Sequence, residues 1–307
     1  MSSVPVLTDD DVDRLMSHGV AVAKMEDALR ELASGNLIAP PRFSLDIDAG
    51  SLVFTAGAAT GTEKVLGFRV YDTFRGASTD TDQVVAVFDA EDGRLKGLVI
   101  GSRIGALRTG ALGGVAIKHL ANPSTPVLAM IGAGSQARSQ IQSALAVREI
   151  SRVLISSRTA ARAERLRDEL LQEYAIECLV VASPRDAVRE ADIVVCATSS
   201  PTPVLESDWI KPGTHVTTVG PKLLGAQELP SDMGARCAAI TTDSLAQVEA
   251  YGRFFLTSGP PPSGLEKIVS GNLRGRTHQD DITLYCSVGL AGTEVVLANE
   301  VLQRAAT

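Results

Sequence analysis

Residues 127–137 read Val-Leu-Ala-Met-Ile-Gly-Ala-Gly-Ser-Gln-Ala, an apolar strand that runs directly into a glycine-rich turn. The turn has the pattern Gly132-x-Gly134-x-x-Ala137, and a helical stretch follows it. In such a turn the first glycine permits a tight bend, the second lets a phosphate approach the backbone, and the small third residue lets the helix pack on the strand. The helix directs its free N–H groups and positive dipole end at the phosphates. This stretch predicts a dinucleotide-binding turn; the alternative is a glycine-rich loop that only connects strand to helix.

The end of the next predicted strand concerns the adenosine side of such a site. The strand Val153-Leu154-Ile155 is followed by Ser157, Arg158 and Thr159. A site that prefers NAD usually has an acid here for the ribose hydroxyls, and this sequence has none. Arg158, with Arg162 and the two hydroxyls nearby, can instead pair with a 2′-phosphate through charge-assisted hydrogen bonds. NADP(H) is therefore favoured over NAD(H); the alternative is that Arg158 is a solvated residue at a helix start.

Length and composition set the broad class of the protein. The chain has 307 residues, of which 45% are hydrophobic, and this is enough for the cores of two domains. Its net charge of −7 argues against nucleic acid as a partner. The sequence shows neither a secretion signal nor an apolar run long enough to span a membrane. We expect a soluble, cytoplasmic protein with no membrane partner.

The cysteines and histidines do not form a recognisable site. The four cysteines are scattered without a Cys-x-x-Cys pair, which predicts free thiols in a reducing compartment. The four histidines are not grouped with metal-ligand spacing, so no metal is expected. His215 begins an apolar strand and is expected in the core. A Gly-x-Ser-x-Gly motif is also missing, which leaves a hydrolase without support.

The first third of the chain combines a helical region with a sheet. A helical pattern runs from Thr8 to Gly35, and Pro40-Pro41 ends it. The turn signal Ala90–Gly93 predicts a hairpin between the two strands beside it. A helix over 104–120 follows the second of these strands. The predicted strands are 44–47, 51–56, 65–71, 84–88 and 95–100.

After a linker at 122–126, strands and helices alternate, which predicts parallel strands joined by right-handed crossovers. The tail over 284–305 is apolar and helix-forming without an evident strand partner, and we expect it to return to the first domain. The fold class is therefore α/β: a dinucleotide-binding domain of the Rossmann type over 121–284, and a mixed α+β domain over 1–120 and 285–307. The predicted strands are 153–156, 178–181, 193–197, 215–219 and 238–241, with helices over 136–147, 160–174 and 184–190.

The order of several motifs resembles the ornithine cyclodeaminase/mu-crystallin family, and the resemblance covers nearly the whole chain. The family has a Rossmann domain and a substrate and dimerisation domain built from both termini. Its members include cyclodeaminases, alanine and arginine dehydrogenases, and reductases of ketimines and cyclic imino acids. These enzymes act on a C–N bond beside a carboxylate with a nicotinamide cofactor. The motifs are Pro41-Arg42, Gly67-Phe-Arg69, Arg108-Thr-Gly-Ala111, Gly132-Ala-Gly-Ser-Gln-Ala137, Gly213–Gly220, Gly275-Arg-Thr and Ser287-Val-Gly-Leu-Ala291.

The resemblance implies roles for residues on the substrate side. Arg42 corresponds to a ligand of the substrate carboxylate, a role that suits a bidentate guanidinium group. Ser287 and Val288 correspond to a segment near the nicotinamide and the substrate. The alternative for Arg42 is a surface arginine after a Pro-Pro turn.

The resemblance also implies a cofactor-binding set. Arg108 corresponds to an arginine near the cofactor phosphates and nicotinamide, with Thr109 beside it; the alternatives are a salt bridge on the helix and a helix-interior threonine. Backbone N–H groups of Ser135 and Gln136 would bind the pyrophosphate. Further members of the set follow two predicted strands, at the sheet edge where cofactors bind. These are Thr198, Ser199, Val219 and Gly220.

Two positions depart from the family's pattern. Arg69 stands where many members have a substrate-binding lysine, so the charge is kept but acid–base work is disfavoured. Lys222 stands where true cyclodeaminases have an aspartate that holds the distal amine of ornithine. A lysine there would repel a second ammonium group. Ornithine cyclodeamination is therefore kept only as an alternative function.

Lys222 suggests a more specific substrate. With Arg42 and Arg69 it would put three cations around one small molecule, and two carboxylates neutralise them better than one. The expected reaction is reduction of a small imino acid to an L-amino acid, with a dicarboxylic imine such as iminosuccinate favoured, or the reverse oxidation. Nearby cations lower the pKa of a lysine, so Lys222 is also a candidate proton donor. The alternative is a Lys222 that binds cofactor phosphates or solvent.

Two further expectations concern assembly and a competing class of protein. The predicted strands of the first domain are too few to close a stable core alone, which predicts a homodimer. A mu-crystallin-like protein that binds NADPH without turnover is the alternative to an enzyme.

Overall fold

The computed structural model describes residues 4–74 and 83–307. The chain divides into a terminal unit, formed by Met1–Ala111 and Gly289–Thr307, and a central unit, Leu112–Val288. One boundary between the units falls inside the helix Arg103–Leu120, and the other lies two residues after the strand Thr283–Cys286. The sequence-based boundaries were 120/121 and 284/285.

The terminal unit is a mixed sheet with helices against it. In its described part the sheet has the order β1-β7-β6-β5-β4-β2, with β3 also paired to β4. All pairs are antiparallel except β1 with β7. The elements are β1 (Val6–Leu7), α1 (Asp9–Leu15), α2 (His18–Ala33), β2 (Leu37–Ile38), β3 (Phe43–Ile47), β4 (Gly50–Ala59), β5 (Val65–Asp72), β6 (Val84–Asp89), β7 (Leu95–Ile100) and α3 (Arg103–Leu120), which continues into the central unit.

Local signals in the sequence explain these elements. α1 ends at Leu15, and Ser17 caps the start of α2, because its hydroxyl accepts the N–H of Val20. The expected single helical region is therefore two helices. The β6–β7 hairpin is confirmed, and its turn places Gly93 at a φ of +73°.

The central unit is a parallel sheet with helices between its strands. The described strands of this sheet have the order β10-β9-β8-β11-β12-β17-β15-β16, all parallel, and β13 and β14 form a separate antiparallel pair. The elements are β8 (Val127–Ile131), α4 (Ala137–Leu145), β9 (Arg152–Ser156), α5 (Ala160–Glu173), β10 (Glu177–Val180), α6 (Pro184–Glu190), β11 (Ile193–Cys196), β12 (His215–Thr218), β13 (Lys222–Leu223), β14 (Ala226–Gln227), β15 (Ala239–Thr242), α7 (Leu245–Tyr251), β16 (Ser263–Gly264), α8 (Leu265–Val269), β17 (Thr283–Cys286) and, in the terminal unit, α9 (Thr293–Ala305).

The strand order creates the binding position of this fold. From β8 the chain moves outward through β9 and β10, and it then returns to add β11 and β12 on the other side. At such a switch point a crevice opens beyond the carboxyl ends of the strands. The expected Rossmann-type α/β architecture is confirmed.

The expectation for the tail is partly wrong. Its first residues form β17, which lies between β12 and β15 and is buried throughout. A short apolar run that is covered on both faces has no alternation, so its periodicity does not distinguish a strand from a buried helix. The later part, α9, does return to the first domain, where it packs against β5, β6 and α2.

Candidate active site

A cleft of about 250 Å³ lies at the switch point of the central sheet. The residues around it belong to the loops after β8, β9, β10 and β11, as a dinucleotide site on this fold requires. The cleft lining contains seven of the expected cofactor residues: Gly132, Gly134, Ser157, Arg158, Thr159, Thr198 and Ser199.

The turn after β8 fits a pyrophosphate. Gly132 has a φ of +111°, and a Cβ atom there would lie 2.4 Å from the carbonyl oxygen of Ala197. A Cβ at Gly134 would have no described atom within 4 Å, so this glycine leaves open space beside the backbone. Ser135 and Gln136 directly precede α4, and no described side chain caps this helix, so the N–H groups at its start are placed for an anion. Both residues lie at the turn but outside the cleft lining.

The adenosine side of the cleft carries two arginines. Arg158 follows β9 in the chain and is exposed, and Arg162 lies in the first turn of α5. The hydroxyl of Ser157 accepts the N–H of Thr159 at 3.3 Å, which orders the loop between them. The described cleft lining contains no acidic residue that could bind the ribose hydroxyls in the manner of an NAD site.

The opposite side of the cleft is organised by Glu228, a residue that sequence reasoning missed. Its side chain is fully buried and accepts five hydrogen bonds from two segments of chain, Thr198 and residues 218–220. One carboxylate oxygen accepts from the N–H and hydroxyl of Thr198, both at 2.8 Å. The other accepts from the Thr218 hydroxyl at 2.7 Å and from the N–H groups of Val219 at 3.0 Å and Gly220 at 2.6 Å. The expected residues Val219 and Gly220 are therefore held by this carboxylate.

Lys222 lies close to the same loop. It is buried in β13, and its Nζ donates a hydrogen bond to the carbonyl oxygen of Gly220. Ser287 and Val288 follow β17 at the same edge of the sheet. The N–H of Ser287 donates to Thr218, and that of Val288 to Asp243. The expected central-unit residues thus lie on neighbouring loops at one sheet edge.

The terminal unit brings three expected arginines together. Arg69 stacks over the ring of Tyr71, with its Cζ 4.3 Å from the ring centroid, and Arg42 donates to the Tyr71 hydroxyl at 3.3 Å. A Cβ built at Gly289 would lie within 4 Å of the guanidinium groups of both Arg42 and Arg108. The side chains of Arg42, Arg69 and Arg108 therefore form one guanidinium cluster.

A second missed residue, Glu294 in the first turn of α9, joins two of these arginines. Its carboxylate pairs with Arg69 at 3.2 Å and with Arg108 at 2.9 Å. Burial raises the pKa of Glu294, but the fields of Arg108 and Arg69 outweigh it, and the pKa lies below its ordinary value. The salt bridge considered for Arg108 therefore exists, with a partner on α9. Thr109 donates to the carbonyl oxygen of Gly105 within its own helix.

Among the buried polar atoms of the terminal unit that lack a hydrogen-bond partner in the described structure, two belong to the guanidinium cluster or to the strand position beside it. They are Nε of Arg108 and Oγ1 of Thr55, and Thr55 is paired in register with Arg69. Buried polar groups are normally satisfied, so their position beside a guanidinium cluster fits a site for a polar ligand.

Metal binding and histidine chemistry find no support in the described residues. Over residues 4–74 and 83–307, no group of His, Cys, Asp and Glu could hold a metal ion. His215 is fully buried between the hydroxyls of Thr283 and Thr217, and burial lowers its pKa to about 3, as befits a core residue. No helix of the described chain is both long enough and apolar enough to cross a membrane.

A Rossmann sheet with a phosphate turn and a cleft at its switch point defines a dinucleotide-dependent protein. The family model named Ornithine cyclodeaminase/mu-crystallin family matches residues 4–307, and the chain belongs to this family.

Individual relatives refine this assignment. A Delta(1)-pyrroline-2-carboxylate reductase of Bacillus cereus is 32% identical over 296 residues, which cover 91% of this chain and 89% of that protein. The structure of Thermococcus litoralis Delta(1)-pyrroline-2-carboxylate reductase in complex with NADH and L-proline has a TM-score of 0.87 at 27% identity, covering 98% of this chain and 97% of the other. The iminosuccinate reductase of Paracoccus denitrificans in complex with NAD⁺ has a TM-score of 0.84 at 25% identity, covering 99% and 96%.

These similarities confirm the expected family and the expected class of enzyme. The chain is an NAD(P)-dependent oxidoreductase that acts on C=N bonds. The similar proteins whose structures are described above hold NADH or NAD⁺, so an NADP(H) preference stays a prediction for this chain.

Proposed function

We propose that the protein reduces a small imine with a carboxylate beside the C=N bond to an L-amino acid, or catalyses the reverse oxidation. The observation that carries this proposal is the pairing of chemistries in one chain. The central unit has a cleft suited to a dinucleotide, and the terminal unit has a guanidinium cluster suited to a carboxylate. The relatives act on this class of molecule, either cyclic or dicarboxylic.

The proposed roles follow from the contacts of each residue. Arg42 binds the substrate carboxylate, and Tyr71 orients its guanidinium group. Arg69 and Arg108 add positive charge but do not move protons, because guanidinium groups stay protonated. A bound reduced nicotinamide supplies a hydride to the imine carbon, and the protein must supply a proton to the nitrogen. Lys222 is the proposed proton donor, and the carbonyl of Gly220 holds its ammonium group in place.

The dicarboxylic version of the substrate rests on Lys222. Arg69 and Arg108 share one carboxylate, Glu294, so this pair keeps only one excess positive charge. Because Glu294 neutralises part of the charge of the guanidinium cluster, the cluster needs fewer substrate carboxylates than its three arginines alone would require. A second carboxylate is favoured where Lys222 acts as its ligand, and a monocarboxylic cyclic imine is favoured where Lys222 acts only as a proton donor.

The preferred cofactor is proposed to be NADPH. Arg158 and Arg162 lie on the adenosine side of the cleft, where a 2′-phosphate would meet them. Fluorescence titration of the wild type with NADPH and NADH tests this preference. Arg158→Ala should weaken NADPH binding about tenfold or more and leave NADH binding within about twofold, since one charge-assisted contact is lost. Equal losses for both cofactors would contradict the role of Arg158.

A homodimer is proposed from the outer face of the terminal sheet. Large apolar side chains on β3, β4 and β5 are exposed there in the single chain: Phe43, Leu45, Ile47, Leu52, Leu66 and Phe68. An exposed apolar surface of this kind marks a protein interface in soluble proteins. Light scattering should give the mass of a dimer, and a monomer at micromolar concentration would contradict it.

The reaction itself is tested by NAD(P)H oxidation. The substrates are preformed cyclic imino acids, and 2-oxo acids including oxaloacetate with ammonia. Oxidation with any of them supports a reductase. Binding of the cofactor with no oxidation across the whole panel would favour a binding protein without turnover. Release of ammonia from ornithine would favour the deaminase alternative, which Lys222 opposes by charge.

A further inference from the structure

Glu228 holds the residues that follow β11 and β12, which lie on the other side of β8 from β9, the strand that Arg158 follows. In a Rossmann site the adenosine half of the dinucleotide binds beside the second strand of the unit, here β9. The nicotinamide half must therefore extend across the switch point, over the ends of β11 and β12. Thr198 follows β11, and Val219 and Gly220 follow β12. These are the residues that Glu228 holds.

The carboxylate of Glu228 is suited to fix those loops because it only accepts hydrogen bonds. Its two oxygens divide the five donors, with Thr198 on one oxygen and the segment 218–220 on the other. The backbone of Glu228 also contributes, since its carbonyl oxygen accepts the N–H of Val204 at 2.9 Å. Thr198 and Val204 both line the cleft. One residue thus sets the position of two parts of the cleft wall.

The close packing around Glu228 leaves little freedom. A Cβ at Gly220 would lie 2.2 Å from the carbonyl oxygen of Thr198 and 2.5 Å from Oε2 of Glu228. A Cβ at Gly132 would lie 3.3 Å from the methyl group of Thr198. The Glu228 side chain therefore connects the segment at Gly220 with the loop at Thr198, and the Thr198 methyl group in turn lies beside the phosphate turn. The carbonyl oxygen of Gly220 in turn accepts the hydrogen bond of Lys222.

We propose that Glu228 is a positioning residue for catalysis: it fixes the nicotinamide side of the cleft and the peptide that holds Lys222. The proposal rests on the proposed function, because it assumes a nicotinamide dinucleotide in the cleft. It assigns Glu228 no contact with substrate or cofactor. Its effect should be confined to the nicotinamide half of the cofactor and to turnover.

Glu228→Gln tests this assignment. An amide offers one acceptor oxygen and one NH₂ donor, so it can serve only one of the two groups of donors that the carboxylate serves. We expect the dissociation constant of the reduced dinucleotide to rise about tenfold or more, because buried donors lose a charged acceptor. The dissociation constant of ADP, which has the adenosine and pyrophosphate but no nicotinamide, should stay within about twofold. The turnover number should fall as well.

Asp192→Asn is the matched control. Asp192 also accepts a backbone N–H, that of Val127 at 3.0 Å, and pairs with Lys211, but it lies at the amino ends of β8 and β11. Its loss should lower the unfolding midpoint without changing either dissociation constant. Thr218→Val is a milder second variant, which removes one of the five donors from the fully buried Thr218. It should weaken dinucleotide binding about two- to fivefold, with ADP binding unchanged.

The possible outcomes are distinct. If the wild type binds neither NADPH nor NADH, the proposed function fails and this assignment falls with it. If the wild type binds a dinucleotide and Glu228→Gln binds it equally well, only the assignment of Glu228 is overturned. An equal loss of dinucleotide and ADP binding also overturns it, because a general weakening of the fold would then explain the result. A selective loss of the dinucleotide supports it.

Discussion

The terminal and central units each contain a glutamate with almost no exposed surface, Glu294 and Glu228, and the two are held in opposite ways. Glu294 in the terminal unit lies between two guanidinium groups. Glu228 in the central unit lies among backbone N–H groups and hydroxyls. Burying a carboxylate requires compensation in both cases, but charge provides it in the first and dipoles in the second. Glu294 therefore balances charge beside the proposed carboxylate site, whereas Glu228 fixes the positions of loops.

The largest expected effect comes from Glu294→Gln. The substitution leaves Arg69 and Arg108 buried without their shared carboxylate. Breaking a buried ion pair by removing one partner typically costs about 3–5 kcal/mol of unfolding free energy. Urea denaturation measures this loss. Glu91→Gln, which breaks the exposed pair with Lys64, is the control and should leave the unfolding free energy unchanged within error. Equal effects of the two substitutions would contradict the charge-balance account.

A smaller loss of stability is expected for Glu228→Gln. Its donors are neutral, so no uncompensated charge is left behind, and the amide oxygen still serves one group of donors. The expected cost is about 1–3 kcal/mol, in the range for buried groups that lose a hydrogen-bond partner. The same urea experiment compares its loss of unfolding free energy with that of Glu294→Gln. A larger loss for Glu228 than for Glu294 would reverse the comparison between the two units.

Lys222→Ala tests whether Lys222 binds a second carboxylate of the substrate. If Lys222 binds a distal carboxylate, KM should rise about ten- to a hundredfold for a dicarboxylic imine and little for a monocarboxylic one. If Lys222 is only the proton donor, the turnover number should fall for all substrates alike. Steady-state kinetics with both substrate types distinguishes these results. Unchanged rates and KM values would remove Lys222 from the site.

The smallest effect concerns acid pH. The pKa of Glu294 in the folded protein lies below its ordinary value near 4.5, so its ion pairs stabilise the fold fully above that pH. This contribution is lost as the pH falls through the folded pKa. The difference in unfolding free energy between wild type and Glu294→Gln should therefore be constant near neutrality and shrink below about pH 4.5. A difference that grows with acid would contradict the sign of the shift.

The sequence predicted the central unit well, because its signals are local. The turn at Gly132 and Gly134, the Arg158 segment and the alternation of strands and helices depend on residues close together in the chain. Glu228 and Glu294 were missed because their roles depend on distant partners. Glu228 lies 30 residues from Thr198, and Glu294 lies 225 residues from Arg69. A glutamate in a loop or in a first helical turn has the pattern of an ordinary surface residue.

The position of β17 was missed for a related reason. Neighbouring strands in a parallel sheet come from separate parts of the chain, so a strand next to β12 and β15 can come from any later apolar segment. Thr283–Cys286 is short and continuous with the helix-forming tail in composition. Only its pairing in the sheet identifies it as a strand.

The most direct test of the account compares an imine that has a carboxylate with one that lacks it, in wild type and in Arg42→Ala. The measurement is kcat/KM for NAD(P)H oxidation with Δ1-pyrroline-2-carboxylate and with Δ1-pyrroline. If Arg42 binds the carboxylate, the wild type should favour the carboxylate-bearing imine about a hundredfold or more, and Arg42→Ala should lose most of that preference. Equal rates on both imines, or a preference that survives in Arg42→Ala, would contradict a carboxylate site at the guanidinium cluster.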